Sequence, residues 1–127
     1  IGPYAGKRNE VFAEWQQSIE ALADCPNVAV KLGGVGMPSN GFGWHEQDTP
    51  PSSTELAEGM APYFNFCIDK FGVDHCMFES NFPVDKVSFS YSVMWNAFKR
   101  LSKDFSSDER SSLFYNTAVK VYRLTND

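Results

Sequence analysis

The run Cys76-Met77-Phe78-Glu79-Ser80-Asn81-Phe82-Pro83 changes character halfway: three apolar residues give way to three polar ones, and Pro83 stops the segment. A strand buried on both faces reads as a short continuous apolar run, which is the habit of parallel sheets with helical cover. In open α/β sheets and (β/α) barrels the carboxyl ends of such strands carry the chemistry. The abrupt polar end therefore predicts a buried parallel strand, about 76–80, that delivers Glu79, Ser80 and Asn81 to a rim.

A second run of this kind is Val28-Ala29-Val30-Lys31-Leu32, followed at once by Gly33-Gly34. Glycines directly after a strand permit a tight turn or close approach of the backbone to a ligand. Gly33-Gly34-x-Gly36 is no dinucleotide fingerprint, because no helix pattern follows it. Lys31 is the anomaly in a strand expected about 28–32, since an unpaired buried charge is costly. Two readings stand: it pairs with a structural carboxylate or snorkels from the strand end, or it points into a site.

Helical periods fill the rest. Val11, Phe12, Trp15, Ile19, Leu22 and Ala23 mark a helix from Asn9, its expected cap, to about Asp24, with Pro26 closing it. Ser52 and Glu55 form a capping box ahead of Leu56, Met60, Phe64, Cys67, Ile68 and Phe71. Pro62 predicts a kink there, or a second helix from near Ala61, and Gly72 a stop. Val87 to Leu101 makes a further helix. Ser106 with Glu109 opens a last one through Tyr122. Between the first strand and Ser52, Met37–Pro51 is a long aperiodic segment, and segments of that length are commonly functional or disordered. Phe42, Trp44 and His45 argue against disorder, so Trp44 and His45 are candidates for covering a site, with core packing the competing use. His75 lies at the amino end of its strand, where residues serve stability.

Composition sets outer limits. At 127 residues the chain is one domain at most, 1–127. Its net charge of −5 and lack of a Lys/Arg cluster exclude a nucleic-acid surface. No run reaches the ~18 apolar residues of a membrane span, and no leader pattern occurs. Cys25, Cys67 and Cys76 form no Cys-x-x-Cys, so buried free thiols in a cytoplasmic protein are expected. The opening Ile1-Gly2-Pro3 reads as a loop cut from a longer chain. Two parallel strands joined through a helix leave two raw edges, and a pair so small is marginal in water. The arithmetic therefore predicts an incomplete domain: either it is a homo-oligomer or its N-terminal half is missing.

The segments Asn27–Gly34 and Cys76–Asp85, with the ending Tyr122-Arg123-Leu124, resemble the last two strands and C-terminus of the amidohydrolase-related metal-dependent hydrolases. That family comprises (β/α)8 barrels, among them dicarboxylate lactonases, sugar lactonases and aminocarboxymuconate-semialdehyde decarboxylase. The resemblance implies the C-terminal portion of a TIM-type barrel, with two parallel strands and four to five helices, from a parent that hydrolyses a lactone or related C–O or C–N bond of a small-molecule substrate. It makes Asn81 and Asp85 the catalytic candidates, with Lys31, Trp44 and His45 as substrate-binding candidates. A complete family member would hold a divalent metal such as zinc, but this chain lacks the family's His-x-His and supplies no metal ligand of its own. Asn81 stands where the family has an acidic residue, and an amide cannot take a proton from water. The piece alone is thus expected to be inactive. The competing reading is a non-catalytic α/β module that works by self-association.

Overall fold

The structure, a computed structural model, describes residues 6–124. Helix α1 (Arg8–Ala23) leads into strand β1 (Val30–Leu32), two short 3-10 turns (Pro38–Asn40 and Trp44–Glu46) and helix α2 (Ser53–Phe71). Strand β2 (Cys76–Phe78), a 3-10 turn at Val84–Val87 and helix α3 (Tyr91–Leu101) follow. Helices α4 (Ser107–Ser111) and α5 (Thr117–Tyr122) are joined without a break through a π turn, Ser112–Asn116. The result is an α/β unit of four helices on a parallel strand pair.

β1 and β2 pair in register Val30↔Cys76, Lys31↔Met77 and Leu32↔Phe78. Both strands are shorter than the sequence predicts, and their hydrogen bonds say why. The Val28 N–H turns back to the Cys25 carbonyl at 3.1 Å, while the Val28 carbonyl meets the His75 ring at 2.9 Å. At the other end, the Glu79 N–H on the Leu32 carbonyl (3.1 Å) is the last rung before the two chains part into loops. Side chains alternate as a strand requires. Leu32 and Phe78 enter the hydrophobic core under the helices, whereas Lys31 and Met77 stand on the opposite face, outside that core.

The core joins Leu32, Leu56, Met60, Phe64, Met94, Phe98 and Leu113, with Phe78 stacked on Phe98 at 4.5 Å. α2 runs through Pro62 as one helix, so of the two expectations there the second helix starting near Ala61 is not found. Its buried stripe of Leu56, Met60, Phe64, Cys67 and Ile68 lies on both sides of the proline. Burial at ~1.5–3 kcal/mol per large side chain outweighs the ~3 kcal/mol that an interior proline costs. The Ser52–Glu55 capping box is present, with Ser52 N–H donating to Glu55 Oε2 at 2.8 Å, and Gly72 (φ 77°) ends the helix.

Other elements depart from expectation. α1 is capped by Lys7, not Asn9, without a side-chain bond, because the Val11 N–H already reaches the Lys7 carbonyl at 3.0 Å. No residue of α1 is fully buried and Leu22 is exposed, so this helix is an outer cover resting Phe12 and Trp15 on Tyr63 of α2. α3 begins at Tyr91 because Ser90 caps it by accepting the Val93 N–H, and the residues from Val84 form the preceding 3-10 turn. The capping box of Ser106 and Glu109 opens α4. The π turn beyond it sets Ser112 and Thr117 on one side: Ser112 donates to Asp74 Oδ1 (3.0 Å) and Thr117 to the Val73 carbonyl (2.9 Å). In an α-helix, positions five apart diverge by about 140°; a wider turn brings them together. Cys67 and Cys76 are buried free thiols, as expected, but Cys25 is exposed, because it falls in the turn beyond α1. No helix among the described residues is long and apolar enough to cross a membrane.

Candidate functional site

Parallel pairing sends the carboxyl ends of β1 and β2 to the same edge, so the loop Gly33–Gly36 meets the loop Glu79–Asp85. Glu79 packs across Gly33, where a Cβ would collide with its side chain and carbonyl. The glycine after the strand is therefore required by close approach of the second loop. Gly36 is required in the same way: a Cβ there would lie 2.9 Å from the Asp85 carboxyl carbon and 2.8 Å from Phe89.

Asp85 is the centre of this junction. It is completely buried; its Oδ2 accepts the Gly36 N–H at 3.2 Å and its Oδ1 accepts the Asn81 side-chain amide at 2.7 Å. Ser88 Oγ donates to the Gly36 carbonyl at 2.6 Å, so both polar groups of Gly36 are tied to the stretch after β2. Burial raises the Asp85 pKa above its ordinary value, against the opposing pull of the Asn81 and Gly36 hydrogen bonds. Asn81 adopts the left-handed conformation (φ 50°), which asparagine tolerates better than most residues, and the Phe82-Pro83 peptide is cis. With the Asn81 amide nitrogen committed to Asp85, its carbonyl oxygen is the group left to accept a hydrogen bond.

Lys31 stands beside this junction in an ion pair with Glu79, Nζ to Oε2 2.6 Å. The Glu79 hydrogen bond is the main cause of a raised Lys31 pKa. Of the two sequence readings of Lys31, this geometry is the pairing with a carboxylate. Lys31, Glu79, Asn81 and Asp85 are thus brought together. Trp44 and His45 are not linked to them by any hydrogen bond or ion pair among the described residues. Trp44 is buried, stacked on Phe42 at 4.3 Å, edge-on to Phe89, and slotted against Gly59, where a Cβ would lie 2.9 Å from the indole. His45 lies on the surface of the same 3-10 turn, 3.5 Å from Glu46. Sequence reasoning passed over Gly36 and Ser88 as parts of the junction; the Gly-Gly-x-Gly spacing after β1 was the available signal.

The described residues do not make a metal centre. Among the described residues no three His, Cys, Asp or Glu side chains converge. Asp85 has an N–H donor on each oxygen and Glu79 is held by Lys31, which leaves one neutral amide oxygen where several anionic or imidazole ligands are needed.

A parallel strand pair with glycine-stitched loops at its carboxyl edge places the chain in the α/β class whose sites lie at strand ends. The amidohydrolase family model matches residues 1–124, and the chain belongs to that family. Over 113 residues it is 42% identical to the uncharacterised protein y4mH of Sinorhizobium fredii, covering 89% of this chain and 34% of that protein. It is 26% identical to an L-rhamnono-gamma-lactonase of Scheffersomyces stipitis (91% of this chain, 34% of the lactonase). It is also 26% identical to an L-fucono-1,5-lactonase of Burkholderia multivorans (89% and 36%). The chain therefore spans about a third of the length of these relatives. Its fold matches a crystal structure of a Burkholderia multivorans amidohydrolase with bound HEPES at a TM-score of 0.80, 24% identity, 96% of this chain and 40% of that one. A zinc-bound structure of an amidohydrolase from the same organism matches at 0.76, 26% identity, 90% and 38%.

Proposed function

We propose that this chain is the C-terminal portion of a TIM-type (β/α)8 hydrolase that opens a lactone or a related C–O or C–N bond. In this reading β1 and β2 are the last two barrel strands, and the face bearing Lys31 and Met77 turns toward the barrel interior. The carrying observation is the junction at their carboxyl edge, where Asp85 locks the loops after both strands and fixes Asn81 in a left-handed turn. The lactonase relatives support the choice of bond.

Asp85 is a positioning residue in this scheme. A completely buried carboxylate held by Asn81 and Gly36 is out of a substrate's reach, and it serves to fix the junction. Asn81 presents an acceptor oxygen at the rim, which would orient a water or a substrate hydroxyl by accepting its hydrogen. It cannot remove a proton, so the general base, and the metal that the family's zinc-bound member points to, are supplied by residues beyond this chain. Lys31, with its charge already balanced by Glu79, would fix the Glu79 side chain more than it would attract an anion. Trp44 would act through the position of its loop, with His45 at the outer edge of the mouth.

The test is a chimera in which this chain replaces the matching third of the Burkholderia multivorans L-fucono-1,5-lactonase. The isolated chain should show no hydrolysis of L-fucono-1,5-lactone or L-rhamnono-γ-lactone, whereas the chimera should show measurable turnover that does not require Asn81→Asp. Stoichiometric zinc on a monomer of the isolated chain, or lactone turnover by it, would sink the reading. A well-folded chimera with no lactone turnover, with or without Asn81→Asp, would favour the self-associating module.

A further inference from the structure

Among the substrate-binding candidates Lys31 carries the positive charge, but Glu79 neutralises it. The guanidinium of Arg8 is different. It sits on the first turn of α1, makes no ion pair among the described residues, and is held by neutral oxygens only. Its Nη1 donates to the Tyr63 hydroxyl (3.2 Å), and its Nη2 to the carbonyls of Gly41 (2.9 Å) and Asn40 (3.4 Å). The same group lies over the Phe42 ring, 4.8 Å from its centroid. Three anchors and a stacking face fix the plane of the guanidinium, and of its five N–H donors these bonds use at most three.

This cation stands in a cleft of about 730 Å³ between α1, α2 and the Pro38–Gly43 segment. Phe12, Trp15, Phe42 and Tyr63 supply aromatic walls, and Arg8 is the one charged residue in the lining among the described residues. Phe12, Trp15 and Tyr63 brace one another at centroid separations of 5.1 to 5.5 Å, so the walls are set by packing on α2. Gly33, which meets Glu79 at the rim, also lines the cleft. A concave, mostly apolar space of this size with one convergent charged donor matches the make-up of small-molecule sites.

We propose that this cleft binds a small organic anion: a planar aromatic body between the rings, and a carboxylate on the open donors of Arg8. A carboxylate gains charge-assisted hydrogen bonds from a guanidinium already oriented for it, and the ring gains burial against Phe12 and Trp15. The site does not depend on lactone chemistry, because binding is read without turnover.

The experiment is a titration of the whole chain with 2-naphthoate, followed by ¹H–¹⁵N NMR, with neutral 2-naphthamide as the matched control. Saturable shifts are expected at Arg8, Asn40–Phe42 and the Trp15 indole, with the amide about ten-fold weaker because it forfeits the charge-assisted contact. Arg8→Gln, checked for unchanged circular dichroism, should abolish that preference, while Arg8→Lys should keep part of it. Equal binding of acid and amide overturns the site, as does a preference that survives Arg8→Gln. Absence of shifts at these residues up to about 10 mM ligand, weaker than a site of this size should be, overturns it as well. So do contacts from residues 1–5 to Phe12 and Tyr63 that persist with 2-naphthoate present, since the chain itself would then occupy the cleft.

Discussion

Asn81 donates its side-chain amide to the buried carboxylate of Asp85 at 2.7 Å, and the same carboxylate accepts the Gly36 N–H from the loop after the neighbouring strand. One side chain thus closes the junction between two loops that are 49 positions apart in sequence. Replacing it should be felt at both. Asp85→Ala leaves two donors without their acceptor; at ~1–3 kcal/mol for the buried Gly36 N–H, and less for the partly exposed Asn81 amide, the loss should be about 1–4 kcal/mol. Urea unfolding measures it; a loss under about 0.5 kcal/mol, the scale of an ordinary surface substitution, would show that the junction relaxes freely.

The pH dependence of this group runs opposite to that of most carboxylates. Burial, the largest cause, raises the folded pKa of Asp85 above its ordinary 3.8. The folded state therefore holds the proton more tightly than the unfolded state does. Its contribution is fully present below the ordinary value and is lost as pH rises through the raised one. The stability of the native protein minus that of Asp85→Asn should increase as pH falls through that window. A difference that shrinks on acidification would mean that the hydrogen bonds from Asn81 and Gly36 dominate over burial.

Gly36→Ala tests the contact between the two loops by volume alone. Its Cβ would lie under 3 Å from Asp85 and Phe89, both buried, so neither neighbour can swing into solvent. Overpacking of this kind costs about 1–3 kcal/mol. Val84→Ala, an exposed site nearby, is the control and should stay within about 0.5 kcal/mol in the same urea series.

The Lys31–Glu79 pair should contribute little by comparison. Its short 2.6 Å contact is half open to solvent on the lysine side. Water screens such pairs, so a double-mutant cycle with Lys31→Met and Glu79→Gln should give a coupling of about 0.2–1 kcal/mol. Because the folded pKa of Lys31 is raised, that coupling is present across neutral pH and is lost only in alkali above the ordinary lysine value. A coupling above about 2 kcal/mol would place the pair in a far drier setting than its exposure implies.

The three thiols should separate by reactivity. Burial pushes Cys67 up to about 11 and Cys76 up to about 12, and both are shielded. Cys25 is exposed. Brief iodoacetamide treatment of the native protein should label Cys25 alone, with the other two labelled only in denaturant. Mass spectrometry reads the outcome, and native labelling at Cys76 would show that β2 opens far more readily than a core strand should.

Much of the fold was legible because its signals are local. The apolar-to-polar change after Phe78 and the Ser52 and Ser106 capping boxes each depend on residues within a few positions of one another. Where distant packing competes with a local preference, the sequence reading failed. Pro62 allows a second helix from near Ala61, yet a stripe buried on both sides carries α2 through it. Asn9 suits a cap, yet the helix begins before it. Trp44 carries no local sign that Gly59 opens a slot for its ring.

Two parallel strands under helices, a glycine-bearing turn after the first and a polar rim after the second are written in the sequence. Short-range periodicity, caps and burial patterns suffice for that. Which charges remain available depends on the tertiary structure: it pairs Lys31 with Glu79, seals Asp85 between Asn81 and Gly36, and leaves Arg8 among aromatic rings with no carboxylate partner among the described residues. Those outcomes rest on groups tens of residues apart meeting at one edge, and the balance between a neutralised and an open charge is set by that meeting.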